Sequence, residues 1–247
     1  MQQSERDISR RALPHPMAFA RAGLTHFSVV EFLVVLVLWI VSSAFIEELK
    51  DGDLIESVLF TLVLFSAVLA VGARRKVLIA GVVLVVPAIA GKWLNHFRPD
   101  IMPPEPFTIM AILCIVFVAV QLLRFILEAP RVNFEVLCGG IAEFLWLGLL
   151  WGMVYVLMDR LTPGAFASAA VKDFNLSRHP FSALYFSFVT LSTVGYGDIT
   201  PVSNGARVLA ILESTTGMLY VGVLIARLVA LHTYEVSSGH TDESTHT

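Results

Sequence analysis

Long apolar runs broken by short polar turns set the pattern of this chain. A helix needs roughly 17–25 consecutive apolar residues to cross a bilayer. Six runs meet that length: 27–46, 54–71, 77–93, 107–127, 136–158 and 204–231. Pro87 predicts a kink in the third. A shorter apolar piece, 181–191, is too short to cross as a helix and suits one that enters and leaves by the same face. His179-Pro180 fits its start, because proline is tolerated in a first helical turn. After it comes "TLSTVGYGDITP", 190–201, where glycines alternate with bulky residues. The pattern predicts an all-α membrane protein: six transmembrane helices, a re-entrant helix and one extended segment. The first run exceeds the 7–15 apolar residues of a usual signal peptide and has a long charged lead-in, so it reads as a retained span.

Composition agrees. Of the 247 residues, 56% are hydrophobic and 15% charged, with a mean hydropathy of +0.76; soluble domains carry about 25% charged residues. A net charge of −3 gives no basic surface for nucleic acid. Cys114 and Cys138 lie within apolar runs and read as small hydrophobes. No HExxH spacing or nucleophile motif points to an enzyme, and no cofactor is expected. Arg6, Arg10, Arg11, Arg21 and the "ARRK" turn at 73–76 place both termini in the cytoplasm. The chain then divides into an N-terminal arm (1–26), a four-helix unit (27–127), a short linker (128–135), a pore domain (136–231) and a polar, acidic tail expected to be disordered (232–247).

Irregular backbone at membrane depth survives only where protein buries it or where it lines a water-filled path. The stretch 193–197 is therefore expected to line a pore. Glycine accepts left-handed backbone at little cost. Gly195 and Gly197, at alternate positions, let neighbours take opposite hands, so that successive carbonyls turn toward one axis. Val194 and Tyr196 then point away from it and brace the strand.

"TVGYGD", 193–198, resembles the selectivity-filter signature of potassium channels, the standing example of carbonyl oxygens replacing an ion's hydration shell. The wider "HPFSALYFSFVTLSTVGYGDITP" resembles that family's pore helix (181–192), filter and outer mouth. The specific resemblance runs over 136–231; upstream it rests on span count. It implies that the carbonyls of Thr193, Val194, Gly195 and Tyr196, with the Thr193 hydroxyl, coordinate dehydrated K⁺ as the permeant ion, Gly197 closing the filter. Related non-selective channels carry Asp at the position of Tyr196. Asp198 would concentrate cations at the mouth, with Tyr185 as its hydrogen-bond partner. Gly217, twenty residues past Gly197, stands where the family places a hinge glycine of the inner helix (204–231). A ring of carbonyls needs four copies, so a homotetramer embedded in lipid is implied.

Ser214, Met218, Val221 and Ile225 share one helical face, read as cavity-lining. Glu213 sits one step off it. An ionisable residue within a span is a functional candidate: it either supports the filter from behind through Thr190 or Ser192, or adds a ring of charge to the cavity, or is a hydrogen-bonded structural acid. Glu31 and Glu143 are expected to pair with other helices, Arg124 being a candidate partner. His179 reads as an exposed histidine or a sensor of external pH. The fourth run has Arg124 as its lone cation, near its cytoplasmic end. Moving one charge supplies about 2.3 kcal/mol per 100 mV, so steep voltage gating is not expected. The short linker "EAPRVNFE" predicts that the first four helices pack against their own pore helices. The expected function is a potassium-selective channel of the plasma membrane. The rivals are a poorly selective cation channel and a transporter or accessory subunit; a single intact "TVGYGD" argues against the transporter, whose resembling relatives carry degenerate filters repeated within one chain.

Overall fold

The computed structural model describes residues 17–46, 49, 52–71, 75–97 and 103–243. Most of the N-terminal arm, Arg74 and residues 244–247 lie outside the described residues. The helices are α1 (Met17–Ile46), α2 (Gly52–Val71), α3 (Arg75–Phe97), α4 (Glu105–Glu128), α5 (Phe134–Leu161), α6 (Pro180–Leu191) and α7 (Asn204–Glu243). Among the described residues, 6 helices are long and apolar enough to cross a membrane, all but α6. Local chemistry sets the ends of the pore helices. The Asn133 side chain accepts from the amide of Val136 at 3.0 Å and starts α5. Pro180 occupies the first turn of α6.

Two boundaries differ from expectation. Helix α1 begins at Met17, and α7 continues to Glu243 through part of the tail expected to be disordered. Once a helix is nucleated, each further residue adds one hydrogen bond for one residue ordered. At 40 residues, α7 is about 60 Å long and outreaches the roughly 30 Å hydrocarbon core. The described residues also hold one short sheet. Strand β1 (Phe166–Ser168) pairs antiparallel with β2 (Ile199–Pro201), Ala167 opposite Thr200.

Helices α1 and α4 pack on α5 of their own chain, the arrangement expected from the short linker, and α2 and α3 pack on α1 and α4. One apolar core runs through them: Phe32 and Leu36 of α1, Leu64 of α2, Ile115 and Leu122 of α4, Trp146 of α5 and Leu184 of α6. Trp146 is its hub. Its indole N–H donates to the Ile115 carbonyl at 2.9 Å, and its ring meets Phe32 edge-on at 5.2 Å. Helix α7 is different: 11% of its span is buried, against 44% of α5. An apolar helix so little covered by its own chain leaves most of its surface for lipid or other subunits.

Candidate ion-conduction site

The site is built outward from α6. Its last carbonyls have no partners of their own in the helix, and the chain folds back onto them. The amide of Thr193 donates to Thr190 at 3.0 Å, and those of Val194 and Gly195 donate to the Val189 carbonyl at 2.9 and 3.2 Å. The amides are thus tied inward to the protein. Among the described residues, no donor reaches the carbonyls of Thr193, Val194, Gly195 or Tyr196. Backbone hand alternates through the same stretch: φ is +60° at Thr193, +60° at Gly195 and +78° at Gly197. The two glycines adopt that hand freely. Thr193 does not, since a β-branched residue in the left-handed region is an outlier, and nothing in its residue type announced it. Val194 and Tyr196 are 52% and 71% exposed in the single chain.

Beyond the filter, Tyr185 and Asp198 are brought together: the phenol donates to Asp198 Oδ2 at 2.8 Å. The Asp198 carbonyl accepts from the Ala169 amide at 2.8 Å, and the β1–β2 pairing continues from there. The outer turn is therefore held on one side by the pore helix and on the other by the segment after α5. Asp159, buried at the end of α5, accepts from the amide of Ser177 at 2.8 Å and fixes the turn that leads into α6.

Glu213 requires a correction. It is fully buried, so it lines no cavity, and its partners are neither Thr190 nor Ser192. The Tyr155 hydroxyl donates to Oε2, and the Ser187 hydroxyl lies 2.5 Å from Oε1 and 2.7 Å from the Gly148 carbonyl. The reason is angular. Adjacent residues on a helix are turned about 100° apart, which carries Glu213 away from the Ser214 face and in between α5 and α6. It joins three helices behind the filter. Tyr155, Ser187 and Gly148 were missed, because nothing sets them apart in their runs: 181–191 also carries Ser182, Tyr185 and Thr190, and 136–158 also carries Glu143. Small residues make the approach possible: a Cβ at Gly148 would lie 2.5 Å from the Phe188 ring.

Gly217 sits at the closest approach of α7 to α6, where a Cβ would lie 2.1 Å from the Leu191 carbonyl oxygen. Met218, Val221 and Ile225 are exposed in the single chain, and Ser214 is half-buried. Glu31 is exposed. Glu143 is buried with Oε2 unpartnered. Neither makes an ion pair with Arg124 among the described residues; Arg124 is exposed at the end of α4. Arg227 of α7 does bridge helices: it donates to the carbonyls of Leu127 and Ala129 at 2.9 and 3.0 Å and so caps the C-terminus of α4. His179 stands at the N-cap position of α6, its ring stacked on Phe174 at 6.0 Å.

Residues 144–233 match a family model described as an ion channel. The chain is 44% identical over 71 residues to two-pore potassium channel 1 of Arabidopsis thaliana, covering 27% of this chain and 19% of that protein. It is 46% identical over 50 residues to the calcium-gated potassium channel TvoK of Thermoplasma volcanium, covering 20% and 14%. It is 34% identical over 92 residues to protein LctB of Geobacillus stearothermophilus, covering 34% and 65%. The chain thus spans less than a fifth of the length of the first curated relatives it matches. The class defined here is a multi-pass membrane protein with an ion-channel pore segment. Through that segment the chain is similar to potassium channels.

Proposed function

We propose that four copies of this chain surround one axis and conduct dehydrated K⁺ along the carbonyls of Thr193, Val194, Gly195 and Tyr196. One observation carries the reading: the amides of Thr193, Val194 and Gly195 are tied back to α6 while these four carbonyls have no donor among the described residues, on backbone of alternating hand. Lipid offers no donor to such carbonyls. Three further copies close them around an axis, where a cation replaces the missing donors. The bare surface of α7 supports the same assembly, since Met218, Val221 and Ile225 would face the inner cavity. Asp198, four times over, raises cation concentration at the mouth. Glu213, with Tyr155 and Ser187, supports the filter by holding the pore helix from behind. The protein sits in the plasma membrane with both termini in the cytoplasm, and needs no cofactor. With Arg124 alone on the fourth span, one charge yields about 2.3 kcal/mol per 100 mV at most, so conduction is passive and weakly voltage-dependent.

The test is K⁺ flux through purified protein in liposomes, across voltage, pH and lipid composition, with chemical cross-linking to count subunits. The expected results are K⁺-dependent reversal potentials and a limiting tetramer band. Equal permeability to Na⁺ would move the reading to a poorly selective cation channel. Absence of K⁺ flux in every condition would move it to an accessory subunit.

A further inference from the structure

We infer that the outer cavity between the four-helix unit and the pore helix binds the anionic headgroup of a membrane lipid. The cavity holds about 490 Å³, within the roughly 300–1,000 Å³ of small-molecule sites. It lies where the filter-side ends of five spans converge on α6: Trp39 of α1, Glu56 of α2, Lys92 of α3, Thr108 of α4, Arg160 of α5 and Leu184 of α6 line it. A smaller recess of about 360 Å³ adjoins it, shares Trp39 and Glu56, and is edged by Arg178.

Three features point to an anionic, partly apolar occupant. The first is Trp39. It is 7% exposed, it lines both spaces, and its indole N–H has no acceptor among the described residues. Buried tryptophan N–H groups normally find a partner, and an oxygen from outside the chain supplies one here. The second is charge. Lys92, Arg160 and Arg178 line the two spaces against the carboxylate of Glu56. Lys92 is engaged, 3.0 Å from Glu56 and over the Phe60 ring at 4.9 Å. Arg160 spends one Nη1 donor on Thr108 at 3.1 Å, with Glu105 in electrostatic reach; the rest of its five-donor fork is available to a phosphate. The third is the wall. Phe60, Phe107 and Leu149 give apolar surface that a free phosphate would leave uncovered and that the carbons beside a lipid phosphate would cover. Headgroups reside at the ends of spanning helices, so the ligand is already at the door.

The probe is short-chain phosphatidylglycerol added to the detergent-solubilised protein, with bound lipid counted by native mass spectrometry. Short-chain phosphatidylcholine and inorganic phosphate are the comparisons. Phosphatidylglycerol is expected to bind at least about tenfold tighter than phosphatidylcholine, the worth of one charge-assisted contact. Arg160→Gln is expected to remove about tenfold of that affinity, and Trp39→Phe about fivefold, the worth of one neutral hydrogen bond. Lys172→Gln, an exposed cation outside the cavity, is expected to change nothing. Trp39→Phe breaks no internal hydrogen bond, so it reads the site even where Arg160→Gln fails to fold. Undiminished phosphatidylglycerol binding in Trp39→Phe, or equal binding of the two lipids, would overturn the site. Inorganic phosphate binding as tightly as phosphatidylglycerol would overturn the lipid as its occupant.

Discussion

Replacing Gly217 by Ala sets two effects of opposite sign against each other. Within a helix, Gly→Ala is worth about 1 kcal/mol in favour of the folded state. Were Gly217 present only for bending, Gly217→Ala would stiffen α7 and raise stability by that amount. The geometry says otherwise. The added Cβ would lie 2.1 Å from the Leu191 carbonyl oxygen and 3.0 Å from its carbonyl carbon. Both are backbone atoms at the end of α6, one residue before the turn that opens the filter, and no rotamer change relieves the clash. The helices must separate by more than 1 Å to restore contact near 3.4 Å. Overpacking of this kind costs about 1–3 kcal/mol, which outweighs the helical gain. The expected result is a lower melting temperature of the detergent-solubilised assembly and a loss of K⁺ flux through displaced filter ends. Gly222→Ala is the comparison, since no atom lies within 4 Å of its Cβ position in the chain; it is expected to leave stability unchanged or slightly raised. Equal or greater stability of Gly217→Ala relative to Gly222→Ala would refute the close-approach reasoning and leave flexibility as the role of Gly217.

Three other predictions follow from single contacts. Glu213→Gln is expected to keep wild-type stability and flux, because an amide offers an acceptor to Tyr155 and a donor to Ser187, which then donates to Gly148; Glu213→Leu orphans the buried Tyr155 hydroxyl at about 1–3 kcal/mol, while Ser187 keeps the Gly148 carbonyl, and is expected to lower the melting temperature. Tyr185→Phe removes the 2.8 Å tether to Asp198, worth about 1 kcal/mol, and is expected to reduce K⁺ over Na⁺ preference measured by reversal potential; an unchanged ratio would mean that the β1–β2 pairing alone holds the outer turn. Arg227→Gln weakens the cap that α7 places on α4, and hydrogen–deuterium exchange is expected to rise at 126–133 while the filter segment stays protected. Faster exchange at the filter instead would show that this contact does not act locally.

Much of the fold was legible in the sequence because bilayer thickness imposes its own length on every span. In α1 to α5 the apolar runs had only to be measured, and the six helices lie where those runs lie. The glycines at 195 and 197 announce backbone of alternating hand, and the resemblance to potassium channels implies the pairing of Tyr185 with Asp198. The positive φ of Thr193 was not legible, because its residue type disfavours that region and the surrounding hydrogen bonds to Val189 and Thr190 enforce it. Nor were the partners of Glu213, the capping of α4 by Arg227, or the solitary burial of Glu143. Each depends on how a helix is rotated about its axis and where it crosses its neighbours. A run that is apolar on all sides carries no stripe to specify that rotation. The sequence alone determined how many runs are long enough to cross a membrane and which backbone segment takes alternating hand. Which polar groups meet behind that segment was decided only by tertiary packing, because at membrane depth a buried hydroxyl or carboxylate must find a partner on whichever helix lies against it.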